Sequence, residues 1–278
     1  MDIINTIDPA TAEVVELYGK ITASFETGKA KILLVNTVDF GDVLIINNEV
    51  QSSSSDESIY HKALVGPAIR GCEERVVILG GGEGCTAREV LAGAPRAQVD
   101  QYDYDRGLVE WAADMLRGWN KGSYDNDRMN LHFEDVWSVD LPIADAYVID
   151  IFDITAETAD SYLRLLEDCI CRLRVGGRLT AYLGDRSAEL EDFICRCQGL
   201  SAAADCTIRS YTAVIPSYRS EVSLFLYVEK GPFGQAASAA AAVAVASASR
   251  SPSRFSPVVP DAEALEENKC NPGQPVQP

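Results

Sequence analysis

Across 13–51 apolar and polar residues alternate with a period of two, in ELYGKITASFET, KAKILLVNTV and DVLIINNEV. The breaks at Gly28-Lys29, Asp39-Phe40-Gly41 and Asn47-Asn48 all carry turn chemistry. This pattern predicts a small antiparallel sheet. A helical period follows over 56–69, and the period then changes again. Apolar strands RVVILG, AQVDQYD, NLHF, DAYVID and GRLTAYLG alternate with helical patterns over 86–92, 107–116, 159–173 and 188–197. Strands and helices in alternation predict a parallel α/β sheet. The last two strands, CTIRSYTAV and EVSLFLYVEK, are separated only by a short turn and predict an antiparallel edge pair. Beyond Gly231 the chain turns to AASAAAAVAVASASRSPSRFSPVV and a polar, Pro-containing end, a composition that cannot form a packed core and is expected to be disordered. Three segments result: a β-hairpin domain over 1–55, an α/β domain over 56–230 and a tail over 231–278.

Composition sets limits on this picture. With 278 residues and 47% hydrophobic content the chain can bury one large or two small cores, and no apolar run is long enough to cross a bilayer. A soluble protein is expected. The N-terminus has two acids and no basic segment before its apolar residues, unlike a secretory signal, so the cytoplasm is the expected location. Eight cysteines without a C-x-x-C, and only two histidines, His61 and His132, argue against a disulfide framework, a zinc site or any other metal centre. The net charge of −18 opposes nucleic-acid and anionic-membrane partners and favours a cationic substrate, although a solubilising acidic surface accounts for most of it.

The stretch VVILGGGEGCTAREVL carries the most specific chemistry: a buried strand runs into consecutive glycines and then a helix. Glycines let the backbone turn tightly and approach a ligand, and the helix start offers unpaired N–H groups and the positive end of its dipole. Such a turn holds a nucleotide. Read from Gly82 the letters also fit G-x-G-x-x-A, with Asp103 about twenty residues on, where a dinucleotide-binding acid belongs. A dinucleotide fold, however, predicts none of the hairpins that precede the loop.

Taken in order, FGDVLIINNEVQ, SDESIYHKAL, VVILGGGEGCTAREV, YDYD, VIDIFD, VGGRLTA and IPSYRSEVSLFLYVEK resemble the polyamine aminopropyltransferases, the spermidine synthase family. The resemblance spans 13–230. It implies a small N-terminal antiparallel β-domain followed by a Rossmann-like, class I methyltransferase-type seven-stranded sheet. It also implies transfer of the aminopropyl group of decarboxylated S-adenosylmethionine to a diamine or polyamine such as putrescine, in a homodimer, with that sulfonium as co-substrate and no metal. By the same resemblance Gly80 and Gly82 lie against the nucleoside, Glu83 (usually Asp) holds the aminopropyl amine, Asp103 takes the ribose hydroxyls and Asp135 meets the adenine amino group. One carboxylate can accept from two vicinal hydroxyls, and the end of a parallel strand faces the binding crevice, so the role of Asp103 also has independent physical sense. Asp105 is read instead as a helix cap.

An amine with a pKa near 10.4 leaves about one molecule in 2,500 unprotonated at pH 7, a deficit of roughly 4.6 kcal/mol, whereas the departing thioether is already neutral. A general base therefore matters more than leaving-group help. The resemblance assigns that role to Asp150, with Asp153 binding the amine and Tyr60 as an orienting hydroxyl. Gln51, counted also with the co-substrate contacts, and Tyr218 match acceptor-pocket residues. Holding nitrogen and carbon in line can supply up to about 7–11 kcal/mol, so positioning should outweigh the base. His61 is read as structural, and core packing is the competing reading for Tyr60 and Tyr218.

Departures from the family pattern bear on the acceptor. DIFDITAET replaces D-S-S-D-P and the following G-P-A, Lys62 stands where Glu is common, and YRSE replaces Y-P-S-G. Lys62 and Arg219 either repel a diamine at the acceptor end or pair with Asp56 and Glu221 on the surface, and the second is expected. Two further functional readings remain: methyl transfer from S-adenosylmethionine to a small amine, and a non-catalytic nucleoside-binding homologue. Ordinary methyltransferases carry an acid two residues before the first loop glycine, and here that residue is Ile78. The Asp150-x-x-Asp153 pair opposes the non-catalytic reading.

Overall fold

A computed structural model of the chain describes residues 2–7, 13–200, 205–219 and 222–231. Except for Gly231, the tail expected over 231–278 lies outside the described residues. The N-terminal part is a five-stranded antiparallel sheet of β1 (Asp2–Ile7), β2 (Val14–Glu26), β3 (Lys31–Thr37), β4 (Gly41–Ile46) and β5 (Glu49–Ser53), hydrogen-bonded in sequence order. The β4–β5 turn places both Asn47 and Asn48 at positive φ, 52° and 71°, as a tight hairpin requires. Strand β1 was not foreseen; only Ile4 and Thr6 of its six residues are buried, so its period-2 signal is weak.

The rest is α/β: α1 (Glu57–Val65), β6 (Arg75–Gly80), α2 (Cys85–Gly93), β7 (Gln98–Tyr102), α3 (Arg106–Met115), α4 (Arg117–Asn120), β8 (Met129–His132), β9 (Ala144–Asp150), α5 (Ala159–Arg172), β10 (Leu173–Asp185), α6 (Ala188–Leu200), β11 (Cys206–Ala213) and β12 (Ser223–Lys230). Helix α1 is shorter than its predicted 56–69 and is followed at once by Gly66-Pro67. The seven strands stand in the order β11-β12-β10-β9-β6-β7-β8, parallel except for β12, which runs antiparallel to β10 and β11. This is the predicted mixed sheet with its antiparallel pair at one edge. Among the described residues, no helix is long and apolar enough to cross a membrane.

Each central strand buries both faces. Val77 and Leu79 of β6 and Tyr147 and Ile149 of β9 pack with α5 and α6, while Val76 and Ile78, with Ala146 and Val148, face α1 and α2. Continuous apolar runs are the sequence signature of such strands. Ala112 of α3 and Leu116 just after it pack onto Ala30, Ile32, Leu34 and Leu44, so one apolar cluster joins the N-terminal sheet to α3. The order reverses between β6 and β9, where Gly80 pairs with Asp150. Crevices at such switch points, outside the carboxyl ends of the strands, are where α/β sheets bind ligands.

Candidate active site

A cavity of about 410 Å³ opens at that switch point, walled on one side by Gly80, Asp103, Asp150 and Asp185 and on the other by Thr6, Leu17, Phe40, Glu49 and Gln51 of the N-terminal sheet. All ten residues singled out from the sequence, Gln51, Tyr60, Gly80, Gly82, Glu83, Asp103, Asp135, Asp150, Asp153 and Tyr218, line it. They come from β5, α1, the glycine loop, the ends of β7 and β9, the segment after β8 and the turn before β12.

The glycine loop explains how β6 and β9 come so close. Gly80 has φ of +81°, and a Cβ there would sit 2.0 Å from the Asp150 carbonyl oxygen, the group that accepts from Gly81 N–H at 2.9 Å. Any side chain would push the two strand ends apart. The loop thereby seats the half-buried Asp150 carboxylate at the cavity floor. Tyr60 donates to its Oδ1 at 2.6 Å, and Thr86 donates to its Oδ2. Burial pushes the Asp150 carboxyl up from the ordinary carboxylate range, and the charge of His61 opposes that rise.

Tyr60 lies between the core and the cavity. Its ring packs edge-on against His61, Tyr182 and Tyr218, in the core, while its hydroxyl serves Asp150. Tyr218 donates to the Gln51 carbonyl at 2.7 Å and so ties the turn before β12 to β5.

His61, read as structural, is buried in a charge chain. Its Nδ1 lies 2.7 Å from the Glu57 carbonyl and 3.1 Å from Glu57 Oε2, and its Nε2 lies 2.9 Å from Glu83 Oε1. Burial disfavours the imidazolium, but Glu57 and Glu83 together outweigh it and hold the pKa up to about 10. Glu57 is in turn gripped by Arg88 at 2.8 Å. Burial raises the Glu57 carboxyl, yet His61 and Arg88 carry it down to about 2. Glu57, His61 and Cys85 gather donor atoms within 4.8 Å of one another, a spacing a metal could use. Here, however, the Glu57 carboxylate is already committed to two cations.

At the end of β7 Asp103 is 8% exposed and accepts from the Asp105 amide at 2.8 Å through Oδ1, with Oδ2 directed at Gly82. Burial pushes its carboxyl up to about 6. Asp105 caps α3 by accepting from Leu108 N–H at 3.2 Å, as read from the sequence, and also accepts from Thr27 at 2.6 Å. Asp135 is exposed at the cavity rim and accepts from Trp137 N–H at 3.1 Å.

One expectation is corrected. Asp56 is buried and accepts from Ser53 at 2.7 Å and from Ser217 N–H and Oγ at 2.7 and 2.9 Å, so it pairs with neither Lys62 nor Arg219. Its position just before α1 faces the turn at Ser217 rather than solvent. Lys62 is exposed, Arg219 lies at the cavity rim over the Phe40 ring, and Glu221 lies outside the described residues. Ile154 N–H bonds the Leu183 carbonyl at 3.0 Å, so the segment that departs from the family pattern returns to the sheet immediately.

Sequence reasoning missed Thr86, Asp185, Trp137 and Phe152. Asp185 lines the cavity and accepts from Ser223 at 2.9 Å, and Trp137 and Phe152 form a tilted aromatic pair with centroids 6.0 Å apart at its rim. A hydroxyl two residues past the last loop glycine was the available signal for Thr86; the others had none.

Residues 57–235 match the spermine/spermidine synthase domain family. A polyamine aminopropyltransferase 2 of Pseudomonas aeruginosa is 34% identical over 203 residues, covering 70% of this chain and 56% of its own length. The polyamine aminopropyltransferase of Sulfurisphaera tokodaii is 34% identical over 149 residues, 53% of this chain and 50% of that one. The chain thus spans about half the length of the curated relatives it matches. Among solved structures, spermidine synthase from Thermotoga maritima superposes with a TM-score of 0.69 at 20% identity, covering 83% of this chain and 80% of that one. A spermidine synthase in complex with the transition-state analogue AdoDATO gives 0.70 at 20% identity, with the same coverage. At that identity the likeness speaks for the fold.

Proposed function

Because the chain belongs to the spermine/spermidine synthase family, we propose that it is an aminopropyltransferase that moves the aminopropyl group of decarboxylated S-adenosylmethionine to a small diamine or polyamine such as putrescine. The observation that carries this reading is the convergence of Tyr60, Glu83, Asp150 and Asp153 in one acid-lined cavity beside the glycine loop. The α/β part, 56–230, holds the donor and the base, and the sheet of 1–55 supplies the acceptor wall. A homodimer working in the cytoplasm goes with this proposal.

In this reading Asp103 takes the ribose hydroxyls and Asp135 the adenine amino group, with Gly80 and Gly82 against the nucleoside. Glu83, braced by His61, receives the terminal ammonium of the aminopropyl arm. Asp153, Tyr218 and Gln51 place the acceptor. Asp150 takes a proton from the acceptor ammonium; the freed nitrogen attacks the methylene next to the sulfonium, the carbon–sulfur bond breaks, and a neutral thioether departs. The acids lower the cost of bringing a polycation into the cavity, and alignment of nitrogen with carbon supplies most of the acceleration.

Incubating the purified chain with decarboxylated or intact S-adenosylmethionine and putrescine or spermidine, and reading product mass, tests the proposal. An added aminopropyl unit is the expected result. Methylated product, or none with any acceptor, would overturn it.

A further inference from the structure

Thr86 has a buried hydroxyl that the roles above leave without a use. It stands in the first turn of α2, fully buried, and its Oγ1 donates to Asp150 Oδ2. Packing does not ask for a hydroxyl here. Valine has the same shape, and a buried hydroxyl costs free energy unless it finds a partner. The glycine loop is shaped around this contact: a Cβ on Gly81 would lie 3.2 Å from Asp150 Oδ2 and 3.3 Å from Thr86 Cβ, against both partners at once.

We propose that Thr86 is a positioning residue which, together with Tyr60, grips both oxygens of Asp150, fixing the plane of the carboxylate and stabilising its ionised form. The inference rests on the reading of Asp150 as general base. A carboxylate has about four lone-pair sites, so two remain for the acceptor ammonium after Tyr60 and Thr86 have each taken one. Because both hydroxyls donate, they approach from fixed sides and leave one direction open toward the cavity.

The environment makes this grip necessary. Asp150 is faced by Tyr60 and His61 from α1, Glu83 from the glycine loop, Cys85 from α2, Asp103 from the end of β7, Tyr162 from α5 and Tyr218 from the turn before β12. Glu83 and Asp103 disfavour a further negative charge, the tyrosines and the cysteine are neutral near pH 7, and His61 is the one cation in this group. The two hydroxyls add the missing stabilisation without adding a charge that would repel the substrate.

The test uses the full chain labelled with ¹³C at the aspartate Cγ, with the Asp150 resonance assigned through Asp150→Asn. In Thr86→Val the Asp150 titration midpoint moves up by about one pH unit, the equivalent of one lost hydrogen bond to a charged group. Thr86→Ser restores it, and the acid limb of kcat/KM with decarboxylated S-adenosylmethionine and putrescine shifts in parallel. A merely structural role would change stability and leave the midpoint in place. Thr86→Val titrating like the wild type, or Thr86→Ser titrating like Thr86→Val, overturns the proposal. If Thr86→Val does not fold, Thr86→Ala set against Thr86→Ser makes the same comparison. Should the wild type make no aminopropylated product, the functional reading fails, and the NMR midpoints still decide the role of Thr86.

Discussion

Tyr60 donates its phenolic hydrogen to Asp150 Oδ1 at 2.6 Å across a sequence separation of 90 residues. The bond joins α1 to the end of β9, and the Gly81 amide ties the same strand end to the glycine loop. Asp150, Tyr60 and the glycine loop are therefore tied into one hydrogen-bonded unit. In Asp150→Asn the unit keeps its shape, because an amide oxygen can still accept from a hydroxyl, but the proton acceptor is gone. Turnover is expected to fall by at least about 10²-fold. Calorimetry with 5′-methylthioadenosine should show affinity close to wild type. Undiminished turnover in the variant would remove Asp150 from the base role.

If Asp103 takes the ribose hydroxyls, as proposed, nucleoside binding depends on pH. With its carboxyl pushed up to about 6 by burial, it is ionised at pH 7.5 and mostly protonated at pH 5. Only the ionised form accepts from both ribose hydroxyls, so affinity for 5′-methylthioadenosine should fall about tenfold between these pH values. Asp103→Asn should flatten the dependence, and Asp103→Ala should weaken binding by about 2 kcal/mol or more. Calorimetry at the two pH values is the check, and equal affinities would place the ribose elsewhere. The same burial has the opposite sense for stability: ionising Asp103 disfavours the fold above pH 6, and the penalty is relieved as pH falls from 6 toward 3.8.

The elements readable in the sequence were those whose signals are local. The Asn47-Asn48 turn announces itself because few other residues accept positive φ twice in succession, and the apolar runs of β6 and β9 reflect burial on both faces. Gly80, Gly82, Glu83, Asp103, Asp150 and Asp153 lie at or just past the carboxyl ends of parallel strands, so their meeting in one cavity follows from strand order. Gln51, Tyr60 and Tyr218 come instead from a hairpin strand, a helix and a turn. Strand β1 was missed because half-exposed hairpin edges alternate poorly. Thr86 and Asp56 were missed or misread for another reason. Their partners lie on other elements: Asp150 for Thr86 and Ser217 for Asp56. No periodicity in the chain encodes which buried polar groups will face one another once the sheet has formed.

His61 and Glu57 should govern stability at the two ends of the pH scale. The pKa of His61 is held up to about 10 in the fold, against 6.5 for an unperturbed histidine. Its contribution is therefore complete below pH 6.5, declines from there upward, and is gone above about 10. Glu57 has the opposite sense: lowered to about 2, it contributes above pH 4.5 and ceases to do so as pH falls through about 2. His61→Gln leaves Glu83 without its buried cation and should cost on the order of 3–5 kcal/mol at pH 6. Thermal melts from pH 6 to 10.5 should show the gap between wild type and variant closing with rising pH. A constant gap would mean that His61 is neutral in the fold.

Glu83 bears on which sulfonium is accepted. Its carboxylate stands one methylene, about 1.5 Å, farther from the backbone than an aspartate would, and its Oε1 is held 2.9 Å from His61 Nε2. That contact fixes the carboxylate at the cavity wall, where a terminal ammonium would find a partner but a neighbouring carboxylate would meet a like charge. At an effective dielectric near 20, like charges about 4 Å apart cost on the order of 4 kcal/mol. The imidazolium of His61 and solvent at the cavity mouth reduce this, leaving about a tenfold to hundredfold preference for the decarboxylated donor. Glu83→Gln should erase most of that preference while sparing the ribose contacts of Asp103, so 5′-methylthioadenosine would still bind. Calorimetric titration of wild type and variant with both donors is the measurement. Equal affinity of the wild type for the two, or tighter binding of the carboxylated one, would turn the cavity from an aminopropyl-transfer site into one suited to methyl transfer.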